Sequence, residues 1–381
     1  MKLAGRSYLI VLGIEAPWVR SLFSVLPGIR EGRRFVYAPN VRSLGYLLSS
    51  SGLKFKISNK PKTKGLTEKD VLVPGWTRFE GLSTWLLARS LRKTIRRWGR
   101  PEAIVYTLPQ YAGVAEQFQD FCQAYYAYDP YRFYHGWGTK RIDGLEKRIL
   151  DACSVAFGIS RQLVEDLQQR TATRVHYSPN AVSTSFVEAL RHVNEKSPVE
   201  FEQIVGKMVG CIGQIYPSAY DWDLLEGLST NFPEVTFVFI GGFTAEAGEH
   251  RVRVENFFAR SNVRWLGRKP HIELPHYLNR FDVCLSPLAV TQHNQRRSLL
   301  RLYDYLATDK PVLSTALREA AEHHGHIQVS QTLSDAVSAL RQMLNAGVSA
   351  SRLAEREQYI RQNTWEVRAE ALWRVLSPLS Q

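Results

Sequence analysis

Short apolar runs alternate with longer amphipathic stretches along the whole chain of 381 residues. In the first half, Tyr8–Leu12, Arg34–Tyr37, Val71–Val73, Ala103–Thr107, Ala124–Tyr128 and Ser154–Gly158 read as buried strands. Helical spacing falls between them at Arg20–Ile29, Leu82–Trp98 and Ile142–Ala152. The second half repeats the style. Met208–Ile212, Thr236–Ile240, Val263–Leu266, Val283–Ser286 and Val312–Leu313 read as strands, the first four running into Gly or Pro. Asp223–Thr230, Ile272–Asn279, Ser298–Ala307 and Leu333–Leu344 read as helices. Strands alternating with helices of this length predict an α/β class of doubly wound parallel sheets covered on both faces. The polar segment His192–Pro198 divides the pattern into two such domains. In this architecture ligands bind at the carboxyl ends of the strands, so the Gly and Pro turns there are the places to search.

Composition adds limits. Apolar residues make up 44% and charged residues 22%, which excludes a disordered chain or a fibre. No apolar run approaches the roughly 18 residues of a membrane-spanning helix. The apolar stretch near the N-terminus lacks a small-residue cleavage site and continues into a domain strand, so it does not read as a signal peptide. Cys122, Cys153, Cys211 and Cys284 are scattered without metal spacing, which fits free thiols in a reducing cytoplasm.

Charge changes the picture more. The net charge is +13, and residues 1–180 hold 28 basic and 14 acidic residues against 21 and 22 in the remainder. The excess therefore lies wholly in the first half, which suggests an anionic partner there. Lys54–Lys69 reads as a basic surface excursion. On Leu82–Trp98, Leu87, Leu91, Ile95 and Trp98 form one stripe, while Arg89, Lys93, Arg96 and Arg97 crowd another face. A basic amphipathic helix with tryptophans suits an anionic bilayer, or an acceptor held there.

The short catalytic motifs of P-loop enzymes, zinc proteases, serine hydrolases and nicotinamide-binding folds do not occur. Asp221-Trp222-Asp223 resembles a metal-binding DxD, but acidic residues at a helix start are favoured by capping and the helix dipole alone. The segment Arg296–Thr315 (RRSLLRLYDYLATDKPVLST) is the most specific in the chain. It places Arg301 and Asp304 three apart on one helix face. An arginine grips a diphosphate bidentately, and a carboxylate one turn on accepts ribose hydroxyls, although by spacing alone the pair also suits a surface salt bridge.

RLYDYLATDKPVLST closely resembles the signature of the family-4-like group of bacterial GT-B glycosyltransferases, which includes exopolysaccharide and teichuronic-acid-type transferases. Met208–Gly213, Val235–Gly242, Asn262–Gly267, Leu274–Pro287, Glu146–Ser160, Ser178–Ser183 and Asn363–Glu366 resemble its other motifs, in the same order. The resemblance implies a GT-B fold of two Rossmann-like domains facing across a cleft. Residues 1–190 would bind the acceptor and 200–360 the nucleotide-sugar donor, with a crossover helix at 361–381 returning to the first domain. It implies transfer from a nucleoside-diphosphate sugar, a UDP-sugar above all, to a glycan or lipid-linked acceptor. Arg301 takes the place of the diphosphate-binding base and Asp304 that of the ribose-binding carboxylate. Gly213 and Gln214 would lie under the diphosphate, Gly241 would also border the donor, and Gly267 and Arg268 would lie near the nucleobase. Arg296 or Arg297 would help hold the leaving group.

Two departures bear on mechanism. Arg296 stands where many retaining members carry a second glutamate, and Gly13–Trp18 replaces the usual Gly-rich loop. Tyr125–Asp129 (YYAYD) resembles a stretch of exopolysaccharide transferases, including the inverting xanthan glucuronosyltransferase, and implies Asp129 as general base. Tyr125, Tyr126, Tyr128 and Tyr131 would desolvate it, although Asp before Pro130 is also a common turn residue. His135, His323 and His324 are further cleft candidates. No metal or other cofactor is expected, and no nucleic-acid partner. The expected location is cytoplasmic, peripheral on the inner membrane face. The alternative is a degenerate protein of the same fold that binds an anionic membrane or nucleic acid through its basic half.

Overall fold

The computed structural model describes residues 7–28, 34–43, 66–134, 138–193, 198–244, 249–323 and 325–377. The chain divides into two compact units, residues 1–179 with 365–381, and residues 180–364. The sequence pattern placed these divisions near 190–200 and 360–361.

The first unit is built on a seven-stranded sheet of order β3-β2-β1-β4-β5-β6-β7. Its strands are β1 (Ser7–Leu12), β2 (Arg34–Ser43), β3 (Leu66–Val73), β4 (Ala103–Tyr106), β5 (Gln123–Ala127), β6 (Val155–Gly158) and β7 (Val175–Tyr177). Every pairing is parallel, with Leu9 opposite Ala103 and Ala124 opposite Val155. β4 and β5 are buried along their whole length, as strands covered on both faces must be. Leu66–Lys69, expected in a surface excursion, instead pairs with Val36–Pro39 as the first half of β3. Residues 54–65 of that basic stretch lie outside the described residues. The first helix starts at Pro17 rather than Arg20, because proline is pre-set for the first helical turn, and runs to Val25. The C-terminal helix Trp365–Leu376 packs on it inside this unit through buried Trp365, Leu372, Trp373 and Leu376.

The second unit holds a six-stranded parallel sheet of order β10-β9-β8-β11-β12-β13. Its strands are β8 (Met208–Ile212), β9 (Thr236–Ile240), β10 (Val263–Trp265), β11 (Val283–Ser286), β12 (Val312–Thr315) and β13 (Gln328–Ser330). The short edge strands β7 and β13 carry too few apolar residues to stand out as runs. Asp221 caps the helix Trp222–Asn231, and Thr332 with Asp335 forms a capping box on Leu333–Ala346. In each sheet the winding reverses once, between β1 and β4 and between β8 and β11. The carboxyl ends at these reversals are the crevices where doubly wound folds bind ligands.

Candidate functional site

In the second unit the crevice is lined by backbone. Gly213 and Gly241 follow β8 and β9 directly, Gly267 comes two residues after β10, and the three are laced together. The Gly213 N–H donates to Ile240 O at 2.8 Å and the Gly241 N–H to Gly267 O at 2.8 Å. A Cβ on Gly241 would stand 1.8 Å from Gly213 O, so the two chain segments touch as only glycine permits. Gly213 has φ +121°, and a Cβ there would lie 2.8 Å from Arg301 Nη2. The missing side chain therefore lets the guanidinium reach the backbone at the end of β8.

Arg301 sits on the helix Leu300–Leu306. Its Nη1 lies 3.5 Å from Cys211 Sγ, and its guanidinium carbon 5.4 Å from the centre of the Tyr220 ring. Burial opposes its charge, but Tyr220, Cys211 and Tyr305 around it hold its pKa above the ordinary value. No carboxylate is paired with it among the described residues, so a positive charge at the switch point stands ready for an anion. The helix is pinned by Tyr305, whose hydroxyl accepts from the Ile212 N–H at 2.7 Å and donates to Leu285 O at 3.2 Å.

Asp304, one turn on, is buried. Its Oδ2 lies 3.3 Å from His271 Nε2, and the His271 ring stacks on Phe186 with centroids 4.6 Å apart. Burial raises the Asp304 carboxyl above its ordinary value while His271 pulls it down. The same hydrogen bond raises His271, with burial opposing it. Sequence reasoning missed His271, although it directly follows the Gly267–Pro270 loop. Gln214 is exposed and donates to Thr244 Oγ1 at 2.8 Å, and Arg268 is exposed. Arg296 is half-buried and folds back on its own loop, Nη1 donating to Gln292 O at 2.8 Å.

Other candidates fall elsewhere. Asp221 Oδ1 accepts from the Leu224 N–H at 3.0 Å as a helix cap, and Asp223 pairs with Arg253. Both carboxylates are thus engaged in local structure. His323 is buried, its Nδ1 2.7 Å from the Tyr359 hydroxyl, beside Glu319, which accepts from Ser298 at 2.8 Å. That network braces the segment before Leu300. His135 and His324 lie outside the described residues.

In the first unit the corresponding crevice is lined by side chains. Gly13 ends β1 at φ +91° because Thr107 Oγ1 donates to Leu12 O and Gly13 O at 2.9 and 2.7 Å, and a Cβ would lie 2.2 Å from that hydroxyl. Asp129 follows β5 and is only 5% exposed. Its Oδ2 accepts from the Tyr134 hydroxyl at 2.6 Å. Tyr131 donates to Thr107 O at 2.7 Å, and Tyr128 packs edge-on against Tyr131 and Trp18. Glu15, two residues beyond Gly13, is exposed and close enough to Tyr128 and Tyr111 to raise their pKa values after burial has done so. Sequence reasoning named it only within a loop.

The basic helix spans Glu80–Trp98. Leu87 and Leu91 are buried, and Trp98 packs edge-on against Tyr8, Phe35 and Tyr37. That stripe therefore belongs to the domain core. A second stripe, Leu82, Trp85, Arg89, Lys93 and Arg96 at spacings of three and four, is exposed throughout, as is Arg97 beside it. Leu82 and Trp85 are about half exposed, and the Arg89 guanidinium lies 5.4 Å from the Trp85 ring centre.

No protein-family profile matches the chain. A Bacillus subtilis (strain 168) protein, TuaH, whose name assigns it to teichuronic acid biosynthesis as a glycosyltransferase, is 28% identical over 181 residues. That match spans 47% of this chain and 44% of the relative, less than half the relative's own length. An Escherichia coli trehalose-6-phosphate structure bound with UDP-2-fluoro glucose superposes with a TM-score of 0.69 at 13% identity, covering 97% of this chain and 99% of the other. Anabaena Alr3699/HepE in complex with UDP and glucose gives 0.67 at 12%, covering 98% and 100%. Likeness at this level shows the fold, which is the GT-B architecture of two parallel-sheet domains.

Proposed function

We propose that the chain is a glycosyltransferase that moves a sugar from a UDP-sugar to a hydroxyl of a lipid-linked or growing bacterial surface glycan. Arg301 carries the reading. A half-buried guanidinium held against a bare glycine turn at a strand switch point is suited to a diphosphate, which it would grip while the bond between the sugar and the diphosphate breaks. Asp304 and His271 beside it would take the ribose hydroxyls. UDP in two structures of the same fold, and the glycan pathway in the name of the 28% relative, point the same way. Leaving-group charge would be held by Arg301, with Arg296 in support, and no metal is needed. The test is thermal unfolding with UDP, GDP, ADP, CMP and dTDP, with and without Mg²⁺. UDP at about 100 times its dissociation constant stabilises the fold by about 2.7 kcal/mol. Arg301→Ala weakens it by about tenfold or more. No shift with any nucleotide, or equal shifts in the variant, favours a degenerate protein that binds without turnover.

Transfer proceeds with inversion. The acceptor oxygen forms its bond to the anomeric carbon as the bond to the diphosphate breaks, and a carboxylate takes the hydroxyl proton. Asp129 is the base, oriented by Tyr134. Its burial gives Glu15, exposed at the end of β1, a specific claim to the same role. Asp129→Asn abolishes transfer and keeps UDP binding, with Glu15→Gln nearly silent. The reverse result assigns the proton to Glu15.

The exposed stripe Leu82–Arg96, apolar at one end and basic at the other, supports a peripheral seat on the anionic inner membrane face. Co-sedimentation with vesicles rich in anionic lipid, abolished in Trp85→Ala/Lys93→Ala, is expected. Equal binding by the variant, or none by the wild type, removes the membrane from the reading.

A further inference from the structure

A cavity lies at the opposite end of the second sheet from the glycine turns. It opens at the amino ends of β12 and β13, between the end of the helix Leu333–Ala346 and the start of Ala350–Arg361, with a volume of about 660 Å³. That is the size of an ordinary small-molecule site. Its wall is apolar at Val312, Ile327, Val329, Ala339 and Met343. Its charged lining residues are Arg352 and Arg356, and among the described residues no carboxylate lines it.

The two arginines differ in a useful way. Arg356 is 5% exposed. Its Nη1 donates to Lys310 O at 2.7 Å and Thr308 O at 3.4 Å, and its Nη2 to His326 O at 3.1 Å. Its Nε is buried with no partner. Neutral carbonyls therefore fix the group without neutralising it, and burial lowers its pKa below the ordinary value. Among the described residues no carboxylate is within ion-pair distance of either arginine. Asp309, the acidic group acting on Arg356, is paired with Lys310 at 3.0 Å, and Glu355 acts on His326. Arg352 is exposed at the rim, its Nη1 3.3 Å from Gly325 O, free to swing inward. Ser349, which precedes the helix Ala350–Arg361, also lines the cavity, so the positive end of that helix dipole faces it. A buried cation without a counter-charge is costly, and an anion in the cavity relieves that cost.

We propose that this cavity binds a small organic anion, its carboxylate or phosphomonoester head between Arg352 and Arg356 and its apolar body against Val312, Ile327 and Met343. The site is separate from the strand-end crevice and does not depend on donor chemistry.

Calorimetric titration of the full chain with 1-naphthyl phosphate, 1-naphthylacetate, 1-naphthol and inorganic phosphate tests it. One of the two naphthyl anions binds saturably, one per chain, and which one binds identifies the head group. Naphthol and inorganic phosphate each bind more weakly. Arg352→Gln, at an exposed position, and Ala346→Trp, which narrows the rim, each weaken the naphthyl anion by about tenfold or more. Arg301→Ala leaves it unchanged. Naphthol binding as tightly as the anions, loss in Arg301→Ala with retention in Arg352→Gln, or no saturable binding by either anion overturns the proposal.

Discussion

The two strand-end crevices occupy the same place in two sheets of the same winding, yet they are made from different material. In the second unit Gly241 lies within touching distance of the Gly213 main chain, and Arg301 fills the space that Gly213 leaves. In the first unit a single glycine turns under a threonine hydroxyl, and tyrosines and carboxylates line the rest. A backbone-lined crevice presents N–H groups and tolerates an approaching polyanion. A side-chain-lined one presents shaped, protonatable groups suited to selecting and deprotonating a hydroxyl. The difference matches the division of labour proposed between donor and acceptor.

Substitution can break that contrast. Gly241→Ala has the largest expected effect, because the new Cβ meets Gly213 O, a main-chain atom that cannot rotate away. A loss of about 3 kcal/mol or more in urea unfolding is expected. Gly13→Ala should cost less, about 2 kcal/mol, since Thr107 is a side chain that can yield although the positive φ remains strained. Equal costs would show that the first crevice is as rigidly backbone-built as the second.

The smallest effect is electrostatic. His271 has its pKa raised in the fold by its hydrogen bond to Asp304. Its contribution to stability is thus complete below its unfolded pKa of about 6.5 and fades as pH rises through the folded value. Urea midpoints of wild type and His271→Ala should differ more at about pH 6 than at about pH 8.5. A gap independent of pH would mean that stacking on Phe186, not charge, holds the ring.

The second crevice was largely legible in the sequence for a physical reason. Gly213, Gly241 and Gly267 punctuate apolar runs because turns at strand ends need them, and Arg301 and Asp304 fall on one face of a short helix by local spacing alone. The first was legible only at Asp129. Glu15 looked like any loop acid, and His271 like any loop histidine, until the sheet order brought β1 beside β4 and β10 beside β9. The stripe Leu87–Trp98 was read correctly as amphipathic, but periodicity could not say that it faces Tyr8 and Tyr37 while Leu82–Arg96 faces solvent.

By itself the sequence determined the alternation of strands and helices, the parallel sheets, the glycine turns of the second crevice and the charge asymmetry, since each follows from local pattern and composition. Only the tertiary structure decided which carboxylates are buried, that Arg301 lies against Gly213, and that Arg352 and Arg356 border a cavity whose described lining holds no acid. Those facts depend on contacts between residues distant in the chain, and no spacing along the chain encodes a distance across a sheet.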